Sequence, residues 1–126
     1  IAGLLAGVRF VRRQGTQTIL RHEHALTCRT AESLRRLPGV EVFAHPGCLA
    51  QAGVVSFRVP GRDAETVGEA LARRGIAVRA GLHCAPLAHR TAGTLDTGTV
   101  RVSFSAFNTP QEADRLAEAV GDILRR

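Results

Sequence analysis

The sequence has 126 residues, a single domain's worth, with 17 basic residues, 11 acidic residues and a formal net charge of +6. Every basic residue is arginine. The absence of lysine excludes a Schiff base to a carbonyl cofactor, a P-loop phosphate clamp and a lysine base within this chain. There is no methionine either, so the chain carries no initiator and is expected to begin at Ile1 inside something longer. With 44% apolar residues it can build a core, yet no run of about 18 uncharged apolar residues marks a membrane span. Residues 1–8 are apolar, but their positive charges follow at Arg9, Arg12 and Arg13, whereas a signal peptide carries them in front. Three widely spaced cysteines, Cys28, Cys48 and Cys84, argue for reduced thiols in a cytoplasmic setting and not for a disulfide framework.

In chain order, residues 1–13 read as a short helix broken at Gln14-Gly15. A longer helix follows, with Ile19, Leu26, Ala31, Leu34 and Leu37 on roughly one face, stopped by Pro38-Gly39. Residues 40–43 alternate as a strand, residues 45–53 carry Pro46, Gly47 and Gly53 and read as a loop, and residues 54–59 form the next strand. Asp63 caps a helix with Ala64, Val67 and Leu71 inward, ending at Gly75. Residues 76–78 read as a short strand and 79–81 as a glycine-bearing turn. His83-Cys84 and a helical turn opened by Pro86 come next. Residues 93–98 are loop, and 99–104 alternate as a strand. The last helix opens on a capping box, Thr109-Pro110-Gln111-Glu112, with proline at its first position. Its apolar stripe is Ala113, Leu116, Ala117, Val120, Ile123 and Leu124. There is no repeat and no linker. This order predicts an α+β fold, a small mainly antiparallel sheet covered by helices on one face.

Net charge alone raises nucleic-acid binding, and placement argues against it. Eight of the 17 arginines form four pairs, Arg12-Arg13, Arg35-Arg36, Arg73-Arg74 and Arg125-Arg126. Each pair falls in the last turn of an expected helix, where a cation meets the negative end of the dipole and gains about 0.3–1 kcal/mol. A single-strand binder would interleave aromatics with a basic stripe, and the only aromatic residues here are five phenylalanines.

His22 and His24 stand two apart on a helix and point to different faces, which suits exposed polar residues better than metal ligands. His83, Cys84 and His89 offer three zinc ligands with no fourth at a metal-binding spacing. Cys28, inside a helix, reads as a small hydrophobe, and Cys48, in a loop, as a bystander. Cys84 differs. It follows a glycine turn, has an imidazole neighbour and lies just ahead of a helical turn, features that favour a thiolate. Residue chemistry leaves open whether this thiol is reactive or inert.

The segment Arg79-Ala80-Gly81-Leu82-His83-Cys84-Ala85-Pro86-Leu87, with Gly98-Thr99-Val100-Arg101-Val102-Ser103-Phe104 and Phe107-Asn108-Thr109, resembles the C-terminal domain of cysteine desulfurases. These are pyridoxal-phosphate enzymes of the class V aminotransferase group, and the match is to their short-loop, selenocysteine lyase-like branch. The resemblance covers essentially the whole chain, which corresponds to roughly the last third of such an enzyme. It implies that residues 1–126 are a single C-terminal small domain. Residues 1–13 would belong to the helix connecting it to a pyridoxal-phosphate-binding domain that this chain lacks.

The resemblance also implies a chemistry. In the family, free L-cysteine forms an aldimine with the cofactor, and a loop thiolate attacks its sulfur to leave L-alanine and an enzyme persulfide. By motif position the nucleophile is Cys84 and the substrate-carboxylate ligand is Arg101, a bidentate task suited to guanidinium. Arg79 and His83 would line the loop, with a purely structural role for Arg79 left open. Cys28 and Cys48 match nothing in the motif. The implied partners are L-cysteine, a sulfur-acceptor protein and, in the full-length enzyme, a second copy. The cofactor lysine and the phosphate-binding residues belong to the other domain, so this chain alone is expected to be inactive. Two alternatives stay open: another class V aminotransferase, epimerase or lyase, and a free-standing interaction or sulfur-carrier module.

Overall fold

The computed structural model describes residues 1–48 and 51–125. Helix α1 (Ala2–Gln14) and helix α2 (Thr16–Arg35) meet at Gly15, whose φ of 83° a residue with a Cβ rarely adopts. Among its residues α1 buries none, whereas α2 buries Leu26, Thr27, Thr30, Ala31 and Leu34. Strand β1 (Glu41–Phe43), a 3-10 turn at Pro46–Cys48 and strand β2 (Val54–Arg58) follow. The expected 45–53 loop thus contains a short turn, and its residues 49 and 50 lie outside the described residues.

Both anticipated caps are present. The Asp63 carboxylate accepts from the Thr66 amide at 2.7 Å at the start of helix α3 (Ala64–Ala72). Helix α5 (Pro110–Leu124) opens on a reciprocal box, in which the Thr109 amide donates to Glu112 at 2.7 Å and the Glu112 amide to the Thr109 hydroxyl at 3.3 Å. Each cap satisfies amides that the helix cannot, and each contributes about 1 kcal/mol.

Strands β1, β2, β3 (Arg79–Gly81) and β4 (Thr99–Ser103) form one antiparallel sheet in the order β1-β2-β4-β3. Alternation divides it into two faces. Val55, Phe57, Val100 and Val102 point into a core with Ala31 and Leu34 of α2, Val67 and Leu71 of α3, and Leu116, Val120 and Ile123 of α5. The pairs Ser56↔Arg101, Phe43↔Ser56 and Arg79↔Arg101 make one row across all four strands. Paired residues share a face, so this row lies on the side away from the core helices. The fold is the expected α+β arrangement.

Two details differ from expectation. The third strand is Arg79–Gly81, not residues 76–78. Ile76 still closes α3, its amide donating to the Leu71 carbonyl at 3.0 Å, and Ile76 and Val78 pack against the core without entering the ladder. Their apolar character therefore reports packing and not strand pairing. In α5, Ala119 is buried where Ala117 was expected.

The arginine pairs do sit at helix ends, although Arg36, Arg73 and Arg125 are the C-cap residues and Arg126 lies outside the described residues. Arg74 donates to the Ala70 carbonyl at 2.9 Å and Arg35 to that of Ala44 at 3.0 Å. Among the described residues no helix is long and apolar enough to cross a membrane.

Gly98 just before β4 has φ +64°, and a Cβ there would stand 2.9 Å from the Gly81 Cα. Gly93 has nearly the same φ, +66°, but open space around it. Gly98→Ala should therefore lose more stability in urea denaturation than Gly93→Ala, which carries only the left-handed term of about 1–2 kcal/mol. Equal losses would remove the close approach of the two loops.

Candidate active site

The C-terminal end of β3 leads into a turn with unusual backbone. Gly81, His83 and Cys84 all have positive φ, at 106°, 51° and 58°. Two consecutive left-handed residues with side chains are costly, and such strain persists where the surroundings hold it in place. Here the Ala85 amide closes the turn on the Leu82 carbonyl at 2.9 Å, and helix α4 (Pro86–Thr91) starts at once on Pro86. The turn leaves Cys84 exposed.

His83 is held by its ring. Its Nε2–H donates to the Thr99 carbonyl at 3.0 Å, and its Nδ1 is buried without a partner among the described residues. Burial, aided by the charges of Arg101 and Arg79, pushes its pKa below the ordinary histidine range, so the ring is neutral at pH 7.

Arg101 is half-buried on β4, with a buried Nε that has no partner among the described residues. Arg79 is exposed and directly opposite it. The ion pairs of the described residues, Arg29–Asp114, Arg58–Glu41, Arg73–Glu69 and Arg125–Asp122, include neither. Two arginines paired across neighbouring strands without an acidic partner among the described residues favour an anion, and a guanidinium can hold a carboxylate through paired N–H donors.

A cavity of about 320 Å³ lies over this row, with Phe43, Ser56, His83, His89, Thr99 and Arg101 in its walls. Cys84 is not itself in the wall, but its neighbours His83 and Ala85 both are. The structure thus brings His83 and Arg101 to one cavity, places Arg79 beside Arg101 on the same face, and sets Cys84 on the adjoining turn. Ser56 and Phe43 were missed as cavity residues, and His89 was weighed only as a metal ligand. The alternation of β2 carries a signal for Ser56, since its neighbours Val55 and Phe57 are core residues. No local pattern reveals that α4 folds His89 onto the sheet.

Elsewhere the histidines depart from expectation. His22 and His24 are half-buried, not exposed, and donate to the carbonyls of Asn108 at 2.9 Å and Cys48 at 2.5 Å. Among the described residues no three histidine, cysteine or acidic side chains stand close enough to hold a metal ion. Cys28 is half-buried and Cys48 buried. Burial and the adjacent Cys48 thiol push the Cys28 pKa up to about 12.

The model of the aminotransferase class-V family matches residues 1–116. The chain belongs to this family. It is 41% identical over 121 residues to a probable cysteine desulfurase of Mycolicibacterium paratuberculosis, covering 96% of this chain and 17% of that one. An apo cysteine desulfurase structure from Thermococcus onnurineus superposes with a TM-score of 0.91 at 36% identity, over 98% of this chain and 30% of that one. The Escherichia coli cysteine desulfurase in its S-sulfonic acid form gives a TM-score of 0.87 at 28% identity, over 98% of this chain and 29% of that one. The family member described here thus spans less than a third of these relatives' length.

Two measurements test the site. At neutral pH Cys84 should be alkylated by iodoacetamide faster than Cys28, whose thiolate is scarce, as read by peptide mass; equal rates would contradict the assignment. Folded His83 binds its proton less tightly than the unfolded chain does, so the unfolded state takes up more protons and stability falls with acidification. Between about pH 7 and pH 5 the urea midpoint of wild type should fall more than that of His83→Gln.

Proposed function

We propose that this chain is the C-terminal small domain of a cysteine desulfurase that converts L-cysteine to L-alanine and enzyme-bound sulfur. Cys84 is the thiol that receives the sulfur, as a persulfide. Arg101 holds the substrate carboxylate through paired N–H donors, with Arg79 adding charge from the neighbouring strand. His83 supports the Cys84 turn as a neutral ring. The observation that carries this reading is the convergence of two unpaired guanidinium groups, a small cavity and an exposed thiol on a strained turn. A site for cysteine needs an anion clamp and a nucleophile, and here the clamp is on a strand that the core fixes and the thiol on the turn that adjoins the cavity.

The residues present do not fit a complete pyridoxal-phosphate site, because the chain has no lysine to bind the cofactor covalently. That cofactor supplies the electron sink for breaking the carbon–sulfur bond and belongs to a further domain, to which residues 1–13 connect. The same reading includes a homodimer of the full-length enzyme and a sulfur-acceptor protein that unloads Cys84. Its compartment is the cytoplasm.

In the full-length enzyme, Cys84→Ala should lower alanine release from cysteine by two orders of magnitude or more, roughly the scale of a lost nucleophile. Arg101→Gln should raise KM for cysteine by about tenfold, the equivalent of one lost charge-assisted hydrogen bond. The 126-residue chain with added pyridoxal phosphate should release no alanine at an enzyme-like rate. A Cys84→Ala enzyme with wild-type turnover would instead indicate a class V aminotransferase, epimerase or lyase.

A further inference from the structure

His89 lies five residues beyond Cys84 and, although it lines the same cavity, has no role in the reading above. It is only 7% exposed, although α4 is a short surface helix. A buried polar side chain at such a place calls for a reason. Its Nδ1 lies 2.8 Å from the hydroxyl of Thr94, which is 1% exposed. The same hydroxyl donates to the His89 carbonyl at 3.4 Å, so its one proton is engaged there and the His89 Nδ1–H donates to its oxygen. His83 has the complementary tautomer, because the Thr99 carbonyl can only accept. Its Nε2 carries the proton and its buried Nδ1 is bare. The two rings stand 5.9 Å apart between centroids, tilted by 42°.

Both histidines are anchored to one short stretch. The Thr94 amide donates to the His89 carbonyl at 2.9 Å, and the Gly98 amide donates to the Thr94 carbonyl at 2.9 Å. Thr99, which holds His83, is the next residue. The chain from His83 through Cys84 to His89 is therefore pinned at its two ends to the segment 94–99. The strained turn that carries Cys84 lies between the pins.

We infer that His89, held by Thr94, is a positioning residue that fixes the His83 ring and with it the turn that presents Cys84. The inference rests on the reading of Cys84 as the sulfur-receiving thiol. It assigns to His89 no contact with the substrate. The carboxylate clamp at Arg101 is on a different element and stays intact when His89 is changed.

The test uses the full-length enzyme with its cofactor and three variants, His89→Phe, Thr94→Val and His89→Gln. His89→Phe keeps a planar ring, somewhat larger than imidazole, and Thr94→Val is nearly isosteric, so the fold has a second route to survival. Both should lower kcat by about tenfold with KM for cysteine unchanged, the scale of a small misplacement of a reacting group. His89→Gln, whose amide N–H can donate to the Thr94 hydroxyl oxygen, should restore most of the loss. Amide exchange read by mass spectrometry should quicken over residues 81–86 in the first two variants and not in the third. Wild-type kcat in His89→Phe, a parallel change in kcat and KM, or unchanged exchange over 81–86 would each overturn the assignment. Exchange reports the turn whatever the thiol does. If exchange quickens while a Cys84→Ala enzyme retains turnover, the sulfur-carrier reading fails and the positioning role of His89 stands.

Discussion

Burial of Phe57 and Val100 against α2, α3 and α5 pins the register of β2 on β4, and that register decides where Arg101 points. The two are Cα partners, with Ser56↔Arg101 as the adjoining pair. A slip by one residue would turn Arg101 into the core and Val100 out to the cavity. Such a slip strands a guanidinium without hydrogen bonds and exposes valine, a combined cost far above that of an ordinary point change. The placement of Arg101 is thus a consequence of fully buried apolar contacts on the opposite face of the sheet. No residue of the core cluster lines the cavity, yet the core sets the position of the strand side chains that do.

The second dependence runs through two glycines. Gly98 approaches Gly81 so closely that a Cβ on Gly98 would stand 2.9 Å from the Gly81 Cα and force the two segments apart. Their contact lets β3 end beside the start of β4, and the Cys84 turn begins at that junction. Rigid strands on one side and the short helix α4 on the other hold three positive-φ residues in place. Strain in a turn is retained only where its neighbours over-determine it. Here the neighbours are hydrogen bonds from both flanking histidines to the segment 94–99.

Much of the fold was legible in the sequence because its signals are local. Asp63 and the Thr109–Glu112 box are capping chemistry, and Pro38-Gly39 and Gly75 are stops that a single strand of text reveals. The pattern at Ile76–Val78 misled, because apolar residues at a helix exit can pack on a core edge without pairing. The site was legible only in part. Cys84 and Arg101 stand out through their motif, whereas Arg79 gained its meaning from the antiparallel pairing that sets it opposite Arg101. His89 looked like a possible metal ligand, and its actual partner, Thr94, is visible only once α4 turns back onto the sheet. His22 and His24 were misread for the same reason: their partners, Asn108 and Cys48, are distant in sequence. Tertiary hydrogen bonds of this kind leave no periodic trace.

The central claim is that Cys84 is the atom on which sulfur lands. Mass analysis of peptides from the full-length enzyme after a single turnover with L-cysteine and no acceptor tests it directly. One additional sulfur atom on the peptide containing Cys84, lost on treatment with a thiol reductant, is the predicted result. Additional sulfur on the Cys28 or Cys48 peptide, or on none of the three while alanine is released, would contradict it.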